Sequence, residues 1–254
     1  MRATGADTAV HLVHLECLRD ARAVAGRAAD LVLEVLRQKP RAVLLLPAGA
    51  TPVPLYVELV RRQRLGALDL SRAHLFQLDE LQGVPPSDAR SFQAFFRQQL
   101  LDPLGVALDF HGLDGSTADP VAEIARHRRR LEALGPADLV LLGLGKNGHV
   151  AFNEPGSTLA DGARVVHLDP LTREGLRGTF PNACPERGLT LGMSEIHAGR
   201  QIVMLVTGAS KAEILRRVLE QKPDRDRPAT LLAGHPRFLV LADGASASPA
   251  PTAR

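Results

Sequence analysis

Residues Ala137 to Leu142 form a short, wholly apolar run, ADLVLL, that empties directly into GLGKNGHVAFNEPGS at positions 143–157. An apolar run of that length closed by glycines reads as a buried strand, and the glycines mark where the backbone bends sharply or approaches a ligand closely. The same punctuation occurs upstream: Ala42 to Leu46, then PAGATP, then apolar residues at helical spacing from about Val53. Two strand–loop–helix units with polar residues at the same end constrain the fold strongly. They suggest a small-molecule enzyme of the α/β class, with loops gathered past the carboxyl ends of the strands, where open sheets bind substrates.

The rest of the chain continues the alternation. Strands are expected at 10–15, 42–46, 73–78, 138–142, 164–167, 188–192, 201–207 and 237–242, and helices at 18–37, 53–64, 91–101, 119–134 and 210–220. Strands alternating with helices predict a three-layer α/β/α sandwich around a mainly parallel, Rossmann-like sheet. At 254 residues the chain is long enough for a large core. It divides into a loose arm at 1–8, a single domain at 9–243 and a small-residue, Pro-containing tail at 244–254, expected to be disordered. A formal charge of +3 without an aromatic-interleaved basic stripe argues against nucleic acid as a partner. The basic run His127 to Arg130 reads as a solvated helix face. No apolar run reaches the length of a membrane span and no signal-peptide core opens the chain. Cys17 and Cys184 stand far apart, outside any ligand spacing, so free thiols and a cytoplasmic location are expected.

Four segments could carry chemistry. Pro47 to Pro52 joins a strand to a helix N-terminus, where free N–H groups and the helix dipole favour a phosphate; Gly49, Ala50 and Thr51 are its central residues. Lys211 follows a strand and opens a helix, so its ammonium can reach back to the same edge. Asp79 and Glu80 are adjacent at a strand end, and only one of two adjacent carboxylates can face the site. His149 is flanked by glycines on the loop past a strand, five residues from Glu154. His11, His14 and Glu16 superficially resemble a metal site, but a spacing of three puts the imidazoles on opposite faces of a strand. No metal site is therefore expected. No GxGxxG fingerprint follows the first strand, and no nicotinamide cofactor is expected either.

GLGKNGHVAFNEPGS, with LLPAGATPVPLY and FQLDELQGVP before it and GLTLGMSEIHAGRQIVMLVTGASKA and LLAGHPRFLVLAD after it, resembles the glucosamine-6-phosphate deaminase/isomerase family. The resemblance spans roughly residues 40 to 245, and a related branch, the 6-phosphogluconolactonases, shares the core of glycines and histidine. The resemblance implies a sugar phosphate held by the 47–52 loop, Lys211 and a lid arginine, for which Arg177 fits with a one-residue shift and Arg173 is second. It implies that Asp79 removes the C2 proton of the open-chain sugar and that His149, supported by Glu154, opens the ring. It further implies turnover without metal or organic cofactor, homo-oligomers, and another ordered segment where this chain has its tail. Several positions depart from the family. Ala48 and Ala50 replace usual polar or glycine residues, Leu81 stands where an aromatic is usual, and Asn147 stands for the usual aspartate. Asn147 can accept a hydrogen bond but carries no charge, so it either orients His149 or marks a galactosamine-type substrate. Arg164 matches part of the family's effector site, but Val166 occupies a usually basic position, and allosteric activation is not expected. The alternatives to a glucosamine-6-phosphate deaminase are a galactosamine-6-phosphate enzyme, a 6-phosphogluconolactonase and a non-catalytic sugar-phosphate-binding regulator.

Overall fold

The computed structural model describes residues 13–248. The elements, in chain order, begin with β1 (His14–Leu18), α1 (Ala21–Gln38), β2 (Val43–Leu46), α2 (Val53–Arg64), β3 (His74–Gln77) and β4 (Asp79–Leu81). They continue with α3 (Phe92–Phe96), α4 (Asp102–Leu104), β5 (Asp109–His111), α5 (Pro120–Leu134), β6 (Leu139–Gly143), β7 (Arg164–His167) and α6 (Pro170–Leu176). The last are β8 (Arg187–Thr190), α7 (Met193–His197), β9 (Ile202–Val206), α8 (Ala212–Leu219), β10 (Phe238–Asp243) and α9 (Gly244–Ala247).

Seven strands form one sheet in the order β1-β10-β9-β6-β2-β3-β5, and every pairing within it is parallel. The five inner strands, β10, β9, β6, β2 and β3, are buried on both faces, which is why they read as largely apolar runs, while the edge strands β1 and β5 are partly exposed. Alternate residues divide between two cores. Leu44, Leu46, Leu139, Leu141, Val203 and Leu205 pack with α1 and α2. Val43, Leu45, Val140, Leu142, Ile202 and Met204 pack on the other face with Leu131 of α5, Ile196 of α7 and Leu215 of α8. This is the expected three-layer sandwich. Helix starts follow their caps: Asp20 accepts from Ala23 N at 2.8 Å and Asp119 from Ala122 N at 2.9 Å.

The chain leaves β2 toward β3 and β5 on one side, and β6 toward β9 and β10 on the other. The reversal falls between β2 and β6, so the loops after these strands open a crevice at the carboxyl edge.

Three features differ from the expectation. A second sheet, β4-β8-β7, is antiparallel; the chain crosses from the main sheet to this one at Leu78, so Asp79 opens a new strand and does not end the old one. Strand β5 is only three residues long and carries too little periodicity to be seen. Gly244–Ala247, assigned to the tail on composition, form a helical turn because Asp243 accepts from Ser246 N at 2.8 Å and Ser246 Oγ donates to Val206 O at 3.0 Å. The proposed arm at 1–8 and the remainder of the tail from 249 lie outside the described residues. No helix among the described residues is long and apolar enough to cross a membrane, and Cys17 and Cys184 are both free.

Candidate active site

The crevice holds a cavity of about 550 Å³ lined by the 47–52 loop, Asp79, Gly143 to Asn147, His149, Lys211 and one face of α6. Its floor is built from backbone. Gly49 has φ 110°, a conformation that glycine adopts without cost, and this turns the 47–52 loop away from β2. The hydroxyl of Tyr56 reaches back from α2 and donates to Pro47 O at 2.6 Å, holding the start of the loop. Opposite, Lys211 Nζ donates to Leu144 O at 2.6 Å, which aims the ammonium across the crevice. Burial and the charge of Lys146 both lower its pKa. The turn before Lys211 is fixed from below, where Gly208 N lies 3.1 Å from each oxygen of Asp243.

His149 sits above Gly145. A Cβ on Gly145 would lie 2.4 Å from the imidazole, so the ring occupies this place only over a glycine. Nδ1 lies 3.0 Å from Thr172 Oγ1 and 3.3 Å from Glu154 Oε2. The same Glu154 oxygen accepts from Asn147 Nδ2 at 2.9 Å, and Asn147 Oδ1 accepts from the His149 backbone N at 3.1 Å. The Asn147 amide is therefore used at both ends, bracing the histidine loop and the carboxylate together. Burial pushes the Glu154 carboxyl up, but hydrogen bonds and charge from His149, with further bonds from Asn147 and Thr172, outweigh it and leave the pKa below its ordinary value. Glu154 is thus an anion beside an imidazole, able to stabilise positive charge on the ring.

Asp79 and Glu80 separate as alternation on a strand demands. Glu80 turns into the protein and accepts from Leu81 N, Phe92 N, Gln93 N and Gln77 Nε2 at 2.8–3.0 Å, capping the start of α3. Asp79 faces the cavity and makes no such bonds. Burial, then the charges of Glu80 and Glu154, raise its pKa well above the usual carboxylate range. A carboxylate so destabilised is a stronger base when ionised.

The structure thus brings Gly49, Ala50, Thr51, Asp79, Asn147, His149 and Lys211 to one cavity, with Glu154 directly behind His149. Arg177 is exposed at the end of α6, outside the cavity lining, and Arg173 pairs with Glu186 at 3.2 Å. Sequence reading missed Thr172 and Lys146. Asp169-Pro170 was a legible helix start for α6, but which of its side chains meets His149 depends on how the helix docks. Arg164 is spent internally, donating to Asn153 Oδ1, Gly162 O and Ser157 Oγ at 2.9–3.1 Å.

A buried carboxylate of raised basicity, a carboxylate-supported imidazole and a lysine opposite a helix-opening loop meet at the switch point of a parallel sheet, an arrangement suited to an acid–base enzyme of the α/β class. The chain belongs to the family described as glucosamine-6-phosphate isomerases/6-phosphogluconolactonase, whose profile matches residues 19–240. It is 38% identical over 234 residues to a glucosamine-6-phosphate deaminase of Arthrobacter sp. (strain FB24), covering 91% of this chain and 90% of the relative. It is 37% identical over 222 residues to glucosamine-6-phosphate deaminase 2 of Giardia intestinalis, covering 86% and 84%. Among solved structures, a monomeric glucosamine-6-phosphate deaminase superposes with a TM-score of 0.87 at 30% identity, over 92% of this chain and 99% of that one. A 6-phosphogluconolactonase from Thermotoga maritima shares the fold, with a TM-score of 0.74 at 20% identity over 91% and 99% of the two chains.

Proposed function

We propose that this chain is a glucosamine-6-phosphate deaminase that converts an aminosugar 6-phosphate and water to the ketose 6-phosphate and ammonium. The observation that carries this reading is Asp79: a buried carboxylate with raised basicity, facing the same cavity as His149 and the anion cradle. Lactone hydrolysis has no carbon-bound proton to remove and gives such a base no task.

The phosphate lies against the N–H groups of the 47–51 loop and the Lys211 ammonium. Nδ1 of His149 is engaged by Glu154 and Thr172, so Nε2 is the nitrogen that serves the sugar. It moves the proton from the anomeric hydroxyl to the ring oxygen, and the Glu154 carboxylate stabilises the imidazolium between the two transfers. Asp79 then takes the C2 proton of the open chain, leaving an enolamine, and returns a proton to C1. Water adds to the resulting C2 imine, and ammonia departs to be protonated as ammonium.

Asn147 orients the machinery, one end of its amide bonded to Glu154 and the other to the His149 backbone, which supports the orienting role over that of a marker for the galacto epimer. A coupled ammonia assay on glucosamine 6-phosphate, its galacto epimer and 6-phosphogluconolactone tests the proposal. Ammonium release from the gluco epimer, with EDTA present, is expected. Lactone hydrolysis without ammonium release from either sugar would replace it with the lactonase.

A further inference from the structure

Far from this crevice, the outer edge of the main sheet gathers two histidines and a carboxylate. His74 begins β3, and Asp109 and His111 lie on the edge strand β5, with His74 paired to Asp109 and Phe76 to His111. Positions two apart on a strand share a face, and so do directly paired residues of neighbouring strands. The four side chains therefore stand on the face that α5 covers, while Phe110 packs on the other. His74 Nδ1 lies 2.5 Å from Asp109 Oδ2, and His111 Nε2 lies 3.1 Å from Asp109 Oδ1. All three ligand atoms fall within 4.8 Å of one another.

His111 makes the cluster more than a surface ion pair. It is 92% buried, with its ring stacked on Phe76 at 4.2 Å, yet its Nε2 has no hydrogen-bond partner. The Asp109 oxygen lies 3.1 Å away as an ion-pair contact. A buried imidazole nitrogen left unpaired is costly, and a metal ion is one partner that would satisfy it.

We propose that His74, Asp109 and His111 form a divalent transition-metal site of the zinc type. Two imidazoles and one carboxylate suit zinc, and three protein ligands leave a fourth position for water. Zinc bonds of about 2.0–2.2 Å put tetrahedral ligand atoms about 3.3 Å apart. The two histidines need little movement. Asp109, whose side chain is 42% exposed, withdraws from between them and admits the ion. Arg130 acts electrostatically on both Asp109 and His111 and opposes a cation, but it is exposed and free to turn outward. His127 of α5 faces His111 from the covering layer and is committed to Gln77 O at 2.8 Å. The bound ion would staple the short edge strand β5 to β3. It would leave the chemistry alone, since His74 precedes Asp79 by five residues, about 16 Å at roughly 3.3 Å per residue.

Zinc titration of untagged full-length protein, with cobalt(II) as a spectroscopic probe, tests the site. One equivalent of zinc should bind and raise Tm, and cobalt should give the intense visible bands of a tetrahedral centre with nitrogen ligands. H74A and H111A should each weaken zinc binding at least ~10-fold, since loss of even an outer partner costs roughly 10–100-fold. D109N, at the exposed ligand and so the least disruptive to folding, should weaken it too, and all three variants should keep ammonium release. Absence of stoichiometric zinc binding by the wild-type chain, or binding by D109N and by the histidine variants equal to wild type, would overturn the proposal.

Discussion

At the residue scale the site is a set of environments more than a set of letters. Asp79 and Glu80 are adjacent carboxylates with opposite fates: Glu80 accepts four hydrogen bonds and caps α3, while Asp79 is left without donors in a buried pocket. Its raised pKa has two consequences of definite sign. If Asp79 is the proposed base it must be ionised to act, so kcat/KM should fall on the acid side at a pH above the ordinary carboxylate value of about 3.9. Because the folded state binds this proton more tightly than the unfolded one, Asp79 lowers stability progressively as pH rises from the unfolded pKa through the folded one. D79N should therefore raise Tm at pH 7.5 by on the order of 2–4 °C, the equivalent of about 1 kcal/mol in a chain of this size. The gain should vanish near pH 4. The same variant should lose solvent exchange at C2 and roughly 10²–10⁴-fold in rate. Near-wild-type exchange would remove Asp79 from its role. Alternation and the family resemblance together marked Asp79 in the sequence; the donor-free pocket that sets its basicity comes from distant segments.

At the scale of elements, α5 is bolted to the strand that leads into the site. His127 Nε2 meets Gln77 O at 2.8 Å, and the Gln77 side chain in turn donates to Asp79 O and accepts from Leu113 N. Reading His127 as part of a solvated basic face was wrong. It is fully buried, because the helix turns this one position of the run toward Phe76 while Arg128, Arg129 and Arg130 stay outside. Burial holds its pKa down at about 4. The folded state thus resists a proton that the unfolded chain accepts at about 6.5, so stability is complete above that pH and is lost as pH falls toward 4. H127L removes this titration. Urea unfolding should show the variant less stable than wild type at pH 8 by about 1–3 kcal/mol, for the unpaired Gln77 carbonyl. The gap should narrow between pH 6.5 and 4 by up to ~1.4 kcal/mol per pH unit; a constant gap would mean that His127 is not neutral in the fold.

At the scale of the molecule, the proposed anion cradle depends on strands that do not adjoin it in sequence. Asp243 closes β10, yet both of its oxygens lie 3.1 Å from Gly208 N in the turn that presents Lys211. D243A should loosen that turn, and a hydrogen bond to a charged group is worth about 1.5–3 kcal/mol. KM for the sugar phosphate should rise on the order of 10-fold, with kcat changed less; an equal loss in kcat alone would place Asp243 in the chemistry and not in the cradle. The sequence by itself determined the layering, because parallel strands buried on both faces must be apolar throughout and their helices must alternate with them. It also marked the loops that line the cavity, since glycines and polar residues after a buried strand have few other uses. Only the tertiary structure decided the strand order that sets β2 beside β6 and so makes two distant loops into one cavity. Only the tertiary structure turned Thr172 onto His149, tied Asn147 to Glu154 and brought His74 to Asp109 and His111. These contacts join residues through docking and pairing geometry, and local periodicity carries no record of which surfaces meet.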